Sequence, residues 1–182
     1  MLFARIKAIW LFLIFFVPII ISVALTMSAD FYPAKHLRFL TISLNLSTVF
    51  AILFVAWILT LVFILAPSFR SRFLVFFGMA ISVLFRMWQD SFTLEALNVT
   101  GKLPKLEFIS IDSPVFVMHV LVSLFMIYVL VLLSIWLIKK EISLGLTTDS
   151  KAKTILSFIV FPIGIFFIQP RMRKILGVKH ID

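Results

Sequence analysis

The sequence predicts an all-α polytopic membrane protein with four transmembrane helices and a short C-terminal re-entrant or interfacial helical segment. Of its 182 residues, 63% are hydrophobic and 14% are charged, whereas soluble domains are roughly half apolar and a quarter charged. The apolar residues are gathered into four long runs, and too few residues lie outside them to build a soluble domain with its own core. We therefore expect residues 1–182 to form a single membrane domain.

The first two apolar runs each have the length of a membrane crossing. Residues 8–27 form a run of about 20 residues, which at 1.5 Å per residue matches the roughly 30 Å of hydrocarbon in a bilayer. A cleaved signal peptide is the alternative interpretation, but the apolar region of such a peptide is usually only about 7–15 residues long. The second run, residues 40–66, is long enough to span with tilt, and Pro67 ends it.

The third run is too short to cross the bilayer unless it includes a charge. Its wholly apolar part, residues 73–85, has only about 13 residues, so the predicted span of residues 73–92 carries Arg86 inside the membrane. The fourth span, residues 114–138, is uncomplicated, since Pro114 suits the first position of a helix and Lys139 follows its end.

Two further segments are predicted not to cross the membrane. Residues 93–113 belong to the longest polar stretch and contain turn residues, which is typical of a loop outside the membrane. The apolar segment 154–168 has about 15 residues, is interrupted by Pro162 and Gly164, and lies between clusters of cations. It is too short for a comfortable fifth crossing, so we expect it to re-enter the membrane or to lie on the leaflet.

The distribution of lysine and arginine predicts the orientation, because cytoplasmic ends of spans carry an excess of both. With four crossings, one side holds Arg5, Lys7, Arg70, Arg72, Lys139, Lys140, Lys151, Lys153, Arg171, Arg173, Lys174 and Lys179, and the other holds Lys35, Arg38, Lys102 and Lys105. Both termini are therefore expected in the cytoplasm. A fifth crossing would move the last four cations of the larger group outside.

The titratable side chains form no pattern typical of catalysis or metal binding. The acidic residues are scattered along the chain and the three histidines lack the spacing of metal ligands. There is no cysteine, and the glycines form no phosphate-binding motif. We expect no enzymatic activity, no cofactor and no metal. The cations flank apolar runs instead of alternating with aromatic residues, so direct nucleic-acid binding is not expected either.

Three polar side chains are predicted at a similar depth in the outer half of the spans: Asn45, Arg86 and His119. Ionisable residues inside spans usually face the bundle interior or a wet cavity, so these three are candidates for the lining of an outward-facing polar pocket. In the alternative interpretation, Arg86 reaches the membrane interface and pairs with Asp90 one turn away, while His119 lies at headgroup depth.

Two other patterns suggest contacts between molecules. Gly78 and Ser82 form a small-xxx-small pair on the third span, which lets another backbone approach closely. That backbone belongs either to the same chain or to a second copy. Arg171, Arg173 and Lys174 follow the last apolar segment and are candidates for docking a cytoplasmic partner or anionic lipid. A plain topological anchor is the alternative for these cations.

At the level of architecture, a compact chain with four spans and cytoplasmic ends resembles the membrane subunit of Kiwa antiphage defence systems. The resemblance implies a homo-oligomer, with a tetramer as the expected number, in a bacterial inner membrane. It also implies that the subunit monitors the envelope and holds a cytoplasmic effector that binds nucleic acid. We therefore expect a non-enzymatic sensing or scaffolding subunit; the alternative is a small oligomeric pore or channel.

Overall fold

The described part of the chain consists of α-helices without any strand. This computed structural model describes residues 6–32, 35–100, 114–146, 149–161 and 163–177. The helices in these ranges are α1 (Ala8–Phe31), α2 (His36–Leu65), α3 (Phe69–Thr100), α4 (Pro114–Ser143), α5 (Lys151–Ile159) and α6 (Ile165–Ile175). The first four are long and apolar enough to cross a membrane. The predicted class of an all-α multi-pass membrane protein is therefore confirmed.

Helix α3 is longer than its predicted span at both ends. At its start, the Ser68 hydroxyl accepts a hydrogen bond from the backbone N–H of Ser71 and caps the helix directly after the preceding turn. At its other end, Leu97 is fully buried against Ala29 and Leu40, and the helix continues to residue 100. The first part of the expected external loop is thus helical, and the rest of that loop lies outside the described residues.

Helices α1 and α2 pack closely along a seam of hydroxyl groups. The Ser43 hydroxyl lies 2.8 Å from the Ser22 hydroxyl and 2.8 Å from that of Thr26. Ser43 also donates to the Ser22 carbonyl at 3.0 Å. Small hydroxyl residues allow two membrane helices to approach closely and to hydrogen-bond across the contact. The seam therefore joins α1 to α2 in the half of the bundle far from the start of α1.

The main hydrophobic core lies toward one end of the bundle. At this end α1 and α3 begin and α2 and α4 end. We call it the basic end because most of the described lysines and arginines lie there, and we call the opposite end the distal end. The fully buried core side chains come from all six helices and include Leu11, Phe15, Trp57, Leu61, Met79, Leu133, Leu137, Phe158, Ile165 and Ile168. The two short C-terminal helices are therefore part of the core and not an appendage.

Candidate functional site

The C-terminal segment forms a helical hairpin. Helix α5 runs into the bundle from the basic end, and α6 returns to the same end. The predicted bend within residues 154–168 is present as the break between the two helices, where residues 160, 161, 163 and 164 are not helical. Residue 162 lies outside the described residues. The expected segment is thus a pair of half-length helices, which we call the hairpin.

The tip of the hairpin is packed among aromatic rings deep in the bundle. The ring centroid of Phe161 lies 4.7 Å from that of Phe54, 5.1 Å from that of Phe15 and 5.2 Å from that of Trp57. Phe15 is seven residues beyond the start of α1 and Trp57 is eight residues before the end of α2, so both lie about 10 Å inside the bundle. The tip of the hairpin is therefore enclosed by α1 and α2 and does not lie at the surface of the basic end.

Gly164 makes the sharp return of the chain possible. A Cβ atom built on Gly164 would lie 1.5 Å from the carbonyl oxygen of Ser157, so any side chain at this position would overlap the backbone of α5. The Gly164 N–H donates to the carbonyl of Val160 at 2.9 Å, which satisfies a backbone group at the break. Irregular backbone inside a membrane is tolerated where protein buries it and satisfies its polar groups.

A buried ion pair fastens the hairpin to α4. The Arg171 guanidinium donates from Nε to Glu141 Oε1 at 2.7 Å and from Nη2 to Glu141 Oε2 at 2.5 Å. Its Nη1 donates to the Thr154 hydroxyl on α5 at 2.9 Å and lies 3.8 Å from Asp149 Oδ2. Arg171 is 9% exposed and Glu141 is 2% exposed. One guanidinium thus joins α4, α5 and α6, and its planar fork matches the carboxylate.

A second contact fastens the hairpin to the start of α1. The side-chain amide of Gln169 on α6 donates to the backbone carbonyl of Ile6 at 2.8 Å, and Gln169 is fully buried. Ile6 lies just before α1, at the basic end of the bundle. The beginning and the end of the described chain are therefore held together at the basic end.

The three cations predicted to dock a partner have different environments. Arg171 is committed to the internal ion pair and is not available at the surface. Arg173 is half-buried, whereas Lys174 is exposed. The exposed lysine Lys151 begins α5 at the same end. The accessible charge of this region is therefore carried by Lys151 and Lys174 more than by the arginines.

A second polar cluster lies in the distal half of the bundle. Arg86 Nε is 3.2 Å from both carboxylate oxygens of Asp90, and Arg86 Nη2 donates to the Ser47 hydroxyl on α2 at 2.8 Å. The Thr48 hydroxyl donates to Asp90 Oδ2 at 2.6 Å. The pairing of Arg86 with Asp90 one turn away, predicted as one alternative, is present, and it joins α3 to α2.

The other two residues of the predicted pocket are not drawn into this cluster. His119 on α4 hydrogen-bonds the side-chain amide of Gln89 through Nε2 and meets the Phe85 ring edge-on. Asn45 is exposed on α2. Arg86, His119 and Asn45 therefore lie at the distal half but have separate surroundings. Ser47 is the partner of Arg86 that sequence alone did not assign.

The small-xxx-small pair has a contact within the chain. A Cβ atom built on Gly78 would lie 2.1 Å from the ring of Phe125 on α4, so the glycine lets that ring touch α3. The Ser82 hydroxyl donates to the carbonyl of Gly78 at 2.9 Å on its own helix. The contact of Gly78 within the chain is with a side-chain ring and not with another backbone. A contact of this pair with a second copy stays a prediction.

Across the described ranges, no three histidine, aspartate or glutamate side chains come close enough together to hold a metal ion. Comparison of the chain with protein-family models, with curated proteins and with solved structures finds no match. The described residues offer two polar networks that could have a function. One is the buried ion pair of Arg171 at the basic end, and the other is the cluster around Arg86 in the distal half.

Proposed function

We propose that the protein is a non-enzymatic subunit of a bacterial inner membrane that oligomerises and docks a cytoplasmic partner, with sensing or scaffolding as its task. The oligomer, with a tetramer as the expected number, and a role in antiphage defence follow from the resemblance to the membrane subunit of Kiwa systems. In this proposal the basic end faces the cytoplasm with both termini, because lysine and arginine are in excess there.

The docking proposal rests on the contacts that hold the hairpin in place at the basic end. The Arg171–Glu141 pair and the bond from Gln169 to Ile6 fix the hairpin to two different spans. Its exposed lysines Lys151 and Lys174 are therefore presented on a fixed support. A rigid surface that carries positive charges favours binding of an acidic protein surface, because little conformational entropy is lost when the partner binds.

The test uses the purified soluble protein encoded next to this chain and the full-length membrane protein in detergent. Lys151→Glu combined with Lys174→Glu should reduce binding at least tenfold, because both substitutions place like charges against an acidic partner. The matched control is Lys35→Glu combined with Arg38→Glu, which makes the same change in charge on exposed residues at the distal end. Equal losses for the two pairs, or no loss for either, would reject the hairpin as the docking surface.

A pore or channel is the second candidate, and the hairpin is the observation that favours it. Half-length re-entrant helices occur where backbone lines a cavity in membrane proteins. In the single chain, however, aromatic rings around Phe161 fill the space at the tip. Conduction would therefore require a path formed between copies. Currents from the purified protein in planar bilayers would support this function, whereas binding of the neighbouring protein without currents supports docking.

A further inference from the structure

Helices α3 and α4 leave an open crevice between them at the basic end. They touch where Gly78 meets the ring of Phe125. Between that contact and the basic end lies a space of about 270 Å³. Apart from Arg70 at its mouth, its walls are formed by Ser71, Leu74, Val75, Tyr128, Leu132 and Trp136. The crevice is thus mainly apolar and aromatic, and it lies between two helices that are long and apolar enough to cross a membrane.

The mouth of the crevice is cationic. Arg70 is exposed there. Lys139, also exposed, lies eleven residues after Tyr128 on α4, which is close to three full helical turns and so places both on one face. Among the described residues that line the crevice there is no acidic side chain. Glu141, which follows on α4, is bound to Arg171 and does not neutralise this mouth.

We propose that this crevice binds an anionic phospholipid of the adjacent leaflet. The phosphate would lie at Arg70 and Lys139, and one acyl chain would follow the apolar wall toward the Gly78 contact. A guanidinium forms strong, charge-assisted hydrogen bonds with phosphate oxygens, and basic pockets between membrane helices bind anionic headgroups in this way. Trp136 and Tyr128 are residue types that favour the membrane interface. The proposal depends on the membrane fold alone and not on the proposed docking function.

The positive charge at its mouth, unpaired among the described residues, distinguishes this crevice from another groove of the bundle and favours an anionic occupant. A groove of about 210 Å³ between α5 and α6 is also apolar, but its lysine, Lys153, is paired with Asp149 at 3.0 Å and offers little net charge to an anion. A second copy of the chain is a poor occupant of the crevice itself, because its basic end would bring further cations against Arg70 and Lys139. The proposed oligomer would therefore use a different face. An anionic lipid matches both the apolar wall and the charged mouth.

Trp136 in the crevice wall provides a direct probe of the occupant. In the full-length protein carrying Trp10→Phe and Trp88→Phe, the remaining tryptophans are Trp136 and Trp57, and Trp57 is only 1% exposed. This protein is reconstituted in phosphatidylcholine vesicles that contain a small fraction of either brominated phosphatidylglycerol or brominated phosphatidylcholine. Bromine quenches tryptophan on contact, so the anionic lipid should quench Trp136 at a lower mole fraction than the zwitterionic lipid.

Substitutions at the mouth then test the cause of that selectivity. Arg70→Gln should weaken the apparent affinity for phosphatidylglycerol about fivefold, the effect of one cation near the headgroup, and Arg70→Lys should keep most of it. Lys151→Gln removes the same charge at the same end but outside the crevice, and should have little effect. Equal quenching by the two lipids would overturn the proposal, as would equal losses for Arg70→Gln and Lys151→Gln. Lack of quenching by either lipid, together with a cross-linked dimer at Trp136, would assign the crevice to a second copy instead.

Discussion

Arg171 and Glu141, which are 30 residues apart in the sequence, form a bidentate ion pair with donor–acceptor distances of 2.7 and 2.5 Å. Both side chains are buried, and the pair joins the returning arm of the hairpin to the end of α4. A buried pair of this kind adds little net stability over apolar residues of the same shape, but removal of one member leaves an uncompensated charge. We therefore expect the pair to determine the position of the hairpin more than it adds to the free energy of unfolding.

The first prediction concerns this pair. Arg171→Met should lower the free energy of unfolding by about 3–5 kcal/mol, because Glu141 remains buried and charged. Arg171→Met combined with Glu141→Leu should recover most of that loss. The free energies can be measured by unfolding in mixed micelles. The control is Lys153→Met, which breaks the more exposed pair with Asp149 and should cost only about 0–1 kcal/mol. A double variant no more stable than Arg171→Met would contradict this account.

The second prediction concerns the turn at Gly164. Gly164→Ala should displace the hairpin, because the new methyl group would overlap the Ser157 carbonyl, and we expect a loss of about 1–3 kcal/mol or more. Hydrogen exchange should increase in residues 151–175 and change little in α1 and α2. Gly145→Ala is the control, since nothing lies within 4 Å of its Cβ position and only its φ of +68° is unfavourable. Unchanged protection of the hairpin in Gly164→Ala would refute the close approach.

The third prediction concerns Arg86. Arg86→Leu should destabilise the protein by about 1–3 kcal/mol, because it leaves the buried carboxylate of Asp90 with the Thr48 hydroxyl but no cation. Arg86→Lys should show an intermediate loss, since one ammonium group lacks the fork that reaches both Asp90 and Ser47. Thermal unfolding in detergent measures both effects.

The matched control for Arg86 is Arg38→Leu, which removes an exposed arginine at the same end of the bundle. We expect it to change the free energy of unfolding by less than about 0.5 kcal/mol. If Arg86→Leu matched this control and also left oligomeric state and biological activity unchanged, Arg86 would be only an interfacial anchor and the distal polar cluster would have no structural role.

The four spans could be predicted from sequence because the bilayer sets a length and a polarity that a continuous run must satisfy. The sequence predicts the ends of the helices less accurately than their existence, as α3 shows. Its polar last turns suggested a loop, yet Leu97 is buried against α1 and α2 and keeps the chain helical. Leu97 makes this contact with residues of two other helices. The hydropathy of a single segment gives no information about such contacts.

The ion pair at the hairpin could not be predicted in the same way. Glu141 follows two lysines and is one of the acidic residues scattered along the chain, while Arg171 belongs to a cationic cluster that predicts a docking surface. The available hint was the interruption at Pro162 and Gly164, which did predict a bent segment. If that segment returns to the basic end, Arg171 comes level with the end of α4, and an acid placed there among cations becomes its natural partner.

The hairpin enters and leaves the bundle at the same end, and we therefore expect the chain to cross the membrane four times. The chain contains no cysteine, so Lys7→Cys, Lys35→Cys and Lys174→Cys can each be made as a single label site. Intact spheroplasts are treated with a membrane-impermeant maleimide before and after permeabilisation. We expect Lys35→Cys to react at once and the other two only after permeabilisation. Reaction of Lys174→Cys together with Lys35→Cys in intact spheroplasts, with Lys7→Cys still protected, would establish a fifth crossing and contradict the re-entrant hairpin.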